Sequence, residues 1–238
     1  MGEDRARLIH ALSTNHVQEM TPGDQRYAFF LTAQGRILFD CHIACFEDHL
    51  LLDAEPEVRE TVIKHIDHYV IADDVTLEDV TGITFSLLAA GRRIYGELAD
   101  KARTIEQLGL VPATSEDLEA FRIGKYHPKF GIDFHSTTLP QETGLGYALH
   151  FNKGCYLGQE IVERIRSRGH VNKVLAGLRS QDGEPLAAGW PVLFDGQEAG
   201  QITSASNGSA IAMLRVPAAK PGTVVQAGTV TAQVHAVT

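Results

Sequence analysis

The 238 residues carry 30 Asp and Glu against 21 Lys and Arg, a net charge of −9, with 44% apolar and 21% charged residues. Those proportions are ordinary for a globular protein, and they exclude a disordered chain, a collagen-like fibre and a uniformly basic nucleic-acid-binding surface. No apolar run approaches the roughly 20 residues that span a bilayer. In chain order, Leu8, Ile9, Leu12 and Val17 recur near the helical period and predict an opening helix. The aromatic run 27–32 predicts a strand, Gln34-Gly35 a turn, and 36–43 its partner strand. Residues 49–53 predict a third strand. Val58, Val62, Ile63 and Ile66 put one face of a helix over 57–70 into a core.

Further along, residues 81–88 predict a strand and 94–108 a helix stopped by Gly109. Thr114 caps another helix, with Asp117 three positions on as a carboxylate version of the capping box. Residues 124–150, rich in Gly, Pro and His, read as irregular, and a glycine turn opens a short helix over 156–166. From residue 171 the texture changes. Strand candidates at 171–178, 192–194, 201–204, 210–214, 223–225 and 229–237 alternate with Asp-Gly, Asn-Gly and Pro-Gly turns. That spacing predicts a small barrel or sandwich and a domain boundary near residue 170.

The three cysteines, Cys41, Cys45 and Cys155, form an odd, sparse set that reads as free thiols in a reducing compartment. With no apolar signal-peptide stretch at the start, a cytoplasmic location is expected, or the mitochondrial matrix in a eukaryote. The most distinctive stretch is Lys153-Gly154-Cys155-Tyr156-Leu157-Gly158-Gln159-Glu160. Two glycines let the backbone turn sharply or approach a neighbour closely. Lys153 is a cation near the thiol and would favour thiolate. Gly158 precedes a helix start whose N–H groups can receive an anion and where Gln159 and Glu160 offer hydrogen bonds. A lone cysteine is more often a small buried apolar residue than a nucleophile. No histidine follows in the motif to act as base.

The octapeptide Lys-Gly-Cys-Tyr-x-Gly-Gln-Glu resembles the signature of the YgfZ family of folate-binding, GcvT-like proteins. Ser13-Thr14-Asn15, the run from Gly35 to Asp40, Phe121-Arg122-Ile123, Phe130-Gly131-Ile132-Asp133 and Pro140-Gln141-Glu142 follow in that family's order, with Arg164 and Arg168-Gly169 after the octapeptide. The resemblance implies an α+β fold. A GcvT-like α/β body, residues 1–170, would set antiparallel sheets around a central cleft, and residues 171–238 would form a small C-terminal β-barrel. The implied function is a folate-binding accessory factor for assembly or repair of iron–sulfur proteins, more an accessory factor than an aminomethyltransferase. Cys155 would be its functional thiol, supported by Lys153, Gly154, Tyr156, Gly158, Gln159, Glu160 and Arg164. Tetrahydrofolate would lie near Tyr27, Arg36, Asp40, Arg122 and Glu142. The implied partners are folate and iron–sulfur proteins or their assembly machinery, with an indirect link to tRNA modification. A monomer without membrane attachment is expected.

Two alternatives stand beside this reading. A folate-dependent aminomethyl transferase would use the same cleft. The glycine-cleavage enzyme, however, has adjacent aspartates where this chain has Phe39-Asp40, and an acidic residue where it has Gly124. An RNA-interacting module would use the basic cluster Arg164, Arg166, Arg168 and Lys173, which also reads as a solvated helix end. The chain also departs from the YgfZ pattern: a further N-terminal strand is missing before residues 2–15, and 90–120 is compressed. Both departures thin the cleft wall. Cys41 and Cys45 read as core residues, His65 and His68 as a solvated helix face rather than metal ligands, Asp73-Asp74 as a loop and Trp190 as a cap on the barrel core.

Overall fold

The computed structural model describes residues 1–89 and 92–237. The first two residues of the compressed 90–120 stretch and the last residue of the 171–238 barrel therefore lie outside the described residues. Helix α1 (Arg5–Leu12) is followed by strands β1 (Gln25–Leu31), β2 (Ile37–Cys45) and β3 (Leu50–Asp53), which pair antiparallel in the order β1-β2-β3. A 3₁₀ turn, Pro56–Val58, leads into α2 (Arg59–Tyr69). Strands β4 (Thr84–Ala89) and β5 (Arg92–Glu97) form a separate two-stranded sheet, and α3 (Lys101–Gln107) and α4 (Ser115–Gly124) come next. Helix α5 (Gln159–Arg168) ends the body.

The three-stranded sheet has two unlike faces because strand side chains alternate. Ala28 lies opposite Cys41 and Phe30 opposite Phe39, with the two phenyl rings stacked at 4.6 Å. Helices α1 and α2 cover this face with Leu8, Ile9, Leu12, Val62 and Ile66. Cys41 and Cys45 are buried, in keeping with a core role, and burial pushes both thiols above their ordinary range. The other face presents Tyr27 opposite His42, His42 opposite Asp53, and Phe29 opposite Asp40.

The C-terminal strands β6 (Lys173–Ser180), β7 (Pro191–Phe194), β8 (Gln197–Ser206), β9 (Ser209–Arg215), β10 (Val224–Ala227) and β11 (Val230–His235) close into a barrel in the order β10-β11-β6-β9-β8-β7. Leu178, Val192, Ile202, Leu214, Val225 and Val234 fill it, and Trp190 packs against them as expected. Asp195 and Asn207 adopt positive φ (51° and 52°), the backbone that an Asp-Gly or Asn-Gly hairpin turn requires. Barrel and body share a core cluster in which Leu175 and Ile211 meet Phe29, Leu31, Phe134, Leu145 and Val162.

The structure corrects two sequence expectations. The predicted helix over 94–108 begins as strand β5, with Thr84 paired to Glu97 and Phe85 to Gly96. Ile94 and Tyr95 are strand formers, and Gly96 leaves room for the Phe85 ring, which a Cβ would meet at 2.9 Å. Helix appears only after the strand ends, over Lys101–Gln107. His65 is half-buried rather than solvated, with its ring edge-on to Phe30 and Phe39. Among the described residues no group of three His, Cys, Asp or Glu could hold a metal ion.

Candidate functional site

Cys155 is exposed, and the rest of its octapeptide fixes the loop that displays it. Lys153 is buried: its Nζ donates to the carbonyls of His10 and Ser13, the latter at 2.8 Å, and lies 4.6 Å from the Tyr156 ring centre. The ammonium thus satisfies carbonyls left open at the C-terminal end of α1, and burial pushes it down to about 8. Lys153 thereby anchors the loop to the end of α1. His10 accepts the Val17 and Gln18 N–H groups on Nδ1, so its Nε2 carries the proton and donates to the Lys153 carbonyl at 2.7 Å. Leu157 N–H bonds Ala11 O, and Gln159 Oε1 accepts the Tyr156 N–H.

Gly158 supplies the close approach that its residue type promised. It adopts φ +80° at the start of α5, and a Cβ there would lie 2.6 Å from Thr32 O and 3.2 Å from Gly35 Cα. The octapeptide therefore rests on the β1–β2 turn. Gly158→Ala is expected to cost about 2–4 kcal/mol, from left-handed strain plus backbone overlap. Urea unfolding checks this, and a cost below about 0.5 kcal/mol would mean the loop does not need that contact.

A polar row lies on the second face of the sheet, the one turned away from α1 and α2. Tyr27 donates to Asp40 Oδ2 at 2.5 Å, while Asp40 Oδ1 is buried with no hydrogen-bond partner among the described residues. Burial raises the Asp40 carboxyl from 3.8 to about 6, against the lowering effect of the Tyr27 bond. His42 is pushed down to about 4, first by burial and then by Arg93, so it is neutral at physiological pH. Asp53 accepts from Arg93 at 2.6 Å and Ser86 at 2.9 Å, which ties the β4–β5 sheet to this row. The Tyr147 ring lies 5.7 Å from that of Tyr27.

The Ser13-Thr14-Asn15 tripeptide joins the thiol loop to the polar row. Ser13 O holds Lys153. Thr14 bonds Phe29 through both backbone and hydroxyl and donates its hydroxyl to Ala148 O at 2.6 Å. Asn15 Nδ2 donates to Tyr27 O and Tyr147 O, each at 2.9 Å.

Three predicted folate residues bond elsewhere. Arg36 is exposed at the β1–β2 turn and bonds Thr137 O at 2.6 Å. Arg122 is bound to Glu119, His127 O, Asp133 and Ser204, between α4 and the barrel. Glu142 is buried and accepts the Leu139 N–H within its own turn. None of these bonds joins Arg36, Arg122 or Glu142 to Asp40 or Tyr27. Glu160 and Arg164 are exposed on α5, and in the basic cluster Arg166 pairs with Glu163 and covers the Phe151 ring. Sequence reasoning missed His42, Asp53, Arg93 and Tyr147. The alternation Phe39, Cys41, Ile43 against Asp40, His42 was available to find the second of the two faces.

A closed barrel docked on a sheet-and-helix body is the GcvT-like fold. The glycine cleavage system aminomethyltransferase T from Bartonella henselae superposes with a TM-score of 0.81 over 99% of this chain and 81% of its own, at 15% identity. The family model of the CAF17 C-terminal β-barrel domain matches residues 174–238. Iron–sulfur cluster assembly factor IBA57 of Homo sapiens is 26% identical over 90% of this chain and 73% of its own length. An aminomethyltransferase of Rippkaea orientalis is 30% identical over 50% of this chain, and a chloroplastic transferase of Arabidopsis thaliana 24% over 87%. The matches span only 33% and 59% of the length of those last two relatives. The chain thus shares the GcvT-like fold, and it is similar in sequence to IBA57 proteins and to aminomethyltransferases and, over its barrel, to the CAF17 C-terminal domain.

Proposed function

We propose that this chain is a folate-binding accessory factor for the assembly or repair of iron–sulfur proteins, with body 1–170 holding the folate, barrel 171–238 docked on it, and Cys155 as the working thiol. The observation that carries the reading is the exposed Cys155 on a loop whose Lys153, Gly158 and Gln159 all serve to hold it. The relatives named iron–sulfur cluster assembly factors supply the class of client. An exposed thiol on a fixed loop can reach a cluster carried by another protein, which a buried one cannot. The compartment proposed is the cytoplasm, or the mitochondrial matrix in a eukaryote. No helix among the described residues is long and apolar enough to cross a membrane.

The residues of the polar row suit tetrahydrofolate. The orphaned Asp40 Oδ1 offers an acceptor for pterin N–H groups, and Tyr27 and Tyr147 offer ring faces. When bound, the folate would supply one-carbon carrier chemistry. Asp40 orients it and, titrating near 6, can hold or release a proton there. That same property favours a second reading, folate-dependent aminomethyl transfer, for which turnover of methylene-tetrahydrofolate with an amine donor is the test. An indirect tRNA link would follow from an iron–sulfur client that modifies tRNA.

In a deletion strain, the Cys155→Ala chain is expected to leave iron–sulfur enzyme activities near the deletion level while its melting temperature stays within about 2 °C of the wild type. Normal enzyme activities in that strain would remove the thiol from the function. In the native protein one thiol of three is expected to react with iodoacetamide, since Cys41 and Cys45 are buried.

A further inference from the structure

A second site lies on the far side of β3 from the rest of its sheet. Strand β3 pairs with β2 on one edge only, and among the described residues nothing bonds its other edge. A cavity of about 900 Å³ runs beside it. Leu50, Leu51, Leu52 and Asp53 all line that cavity. Successive strand side chains point to opposite faces, so four consecutive lining residues mean that the cavity meets the strand along its open edge. Alternate residues of an antiparallel strand turn their N–H and C=O outward, and here they turn into the groove. Val62, Ile63 and Ile66 of helix α2 line it, and so do residues 75–86.

The composition of this edge is unusual for one left to solvent. Exposed edges are normally blunted by lysine, proline or a bulge, whereas β3 reads Leu-Leu-Leu-Asp with all four residues half-buried. The charges around the groove have one dominant sign. Asp48, Asp53, Glu78, Asp79 and Glu97 line it against Arg5 and Arg59. Arg59 is paired with Asp79 and Arg93 with Asp53, and Met1, which bears the terminal amino group, also lines the groove, while Glu78 and Glu97 are exposed and have no ion pair among the described residues.

We propose that this groove receives an extended segment of a partner protein, alternating apolar and basic residues, which adds to β3 as a further strand. Main-chain bonds to the open edge would supply affinity, as in other strand-addition complexes. The leucines and α2 would take the apolar side chains, and the carboxylate rim would select lysine or arginine.

The test titrates blocked peptides of about nine residues, the length of an ordinary strand with its flanks, into the full chain, read by amide chemical shifts. A Val-Lys alternating peptide is expected to bind saturably and to shift the amides of 50–53 and 75–86. The same peptide N-methylated at alternate amides, and a Val-Glu version, are each expected to bind at least about tenfold more weakly. Glu78→Lys combined with Glu97→Lys changes only exposed side chains, so the fold should persist while affinity for the lysine peptide drops at least about tenfold. No binding up to ~1 mM, the weakest range of specific affinity, overturns the proposal. So do indifference to N-methylation and shifts that map elsewhere. A dimer in sedimentation that the peptide fails to dissociate assigns the edge to a second copy and also overturns it.

Discussion

At pH 7.5, Asp40→Asn is expected to stabilise the fold by about 2 kcal/mol and to weaken tetrahydrofolate binding at least about tenfold. Both effects come from one buried group. The carboxyl has an ordinary value of 3.8 and is raised to about 6 in the fold, chiefly by burial. The native state therefore binds its proton more tightly than the unfolded chain does. Stability falls as pH rises between about 4 and 6, and the deficit persists above that window. A shift of roughly two pKa units corresponds to ~3 kcal/mol, from which the unpaired amide of asparagine takes back about 1 kcal/mol. Asparagine can still accept the Tyr27 hydroxyl, so the sheet face need not rearrange. Urea unfolding at pH 7.5 and 4.5 separates the terms, since most of the gain should vanish at the lower pH. A gain that is the same at both values would show that the carboxylate is not what strains the site. Unchanged folate affinity in a stabilised variant would remove Asp40 from the ligand site.

Such a trade of stability for an acceptor is the kind of feature that a sequence displays only in part. Asp40 could be named in advance because it ends a glycine hairpin and matches a family position. Its partner Tyr27, thirteen residues earlier, was also named. Their pairing depends on the antiparallel register that sets Phe29 opposite Asp40 and Tyr27 opposite His42, and no local pattern encodes it. The barrel was legible because its Asp-Gly and Asn-Gly turns are local signals with a fixed backbone meaning, borne out by the positive φ of Asp195 and Asn207. Local chemistry likewise predicted the capping box, in which Asp117 N–H bonds the Thr114 hydroxyl at 3.1 Å and Thr114 N–H returns to Asp117 at 3.0 Å. The misreading of 94–108 arose where local signals were mixed: a strand of Ile and Tyr passes through a single 3₁₀ turn, Leu98–Asp100, into a helix, with no glycine or proline to mark the break. The anchoring role of Lys153 was illegible for a different reason. Its sequence neighbour is a cysteine, but its hydrogen-bond partners are His10 and Ser13, about 140 residues away, and the charge of a lysine says nothing about where its long side chain ends.

Arg122→Met is expected to cost about 3–5 kcal/mol of stability, the range for breaking a buried ion pair from one side. Asp133, its partner at 2.8 Å, has a fully buried side chain and also accepts Lys129 N–H and the hydroxyls of Thr203 and Ser204. Without the guanidinium, that carboxylate keeps its neutral donors but loses the positive charge that balances it. The same change releases Ser204 and His127 O, which ties the loss to the junction between α4 and barrel strand β8. Asp133→Asn combined with Arg122→Met should therefore cost less than the sum of the two single changes. The result separates two roles for this arginine. If Arg122 clamps the barrel to the body, the variant unfolds at lower denaturant and its barrel is cut first in limited proteolysis, while the folded fraction binds tetrahydrofolate as before. If Arg122 instead touches the folate, affinity falls while the unfolding midpoint stays within error. The four hydrogen-bond partners of its guanidinium favour the first outcome, because a group already satisfied on every side must break bonds within the fold before it can make one to a ligand.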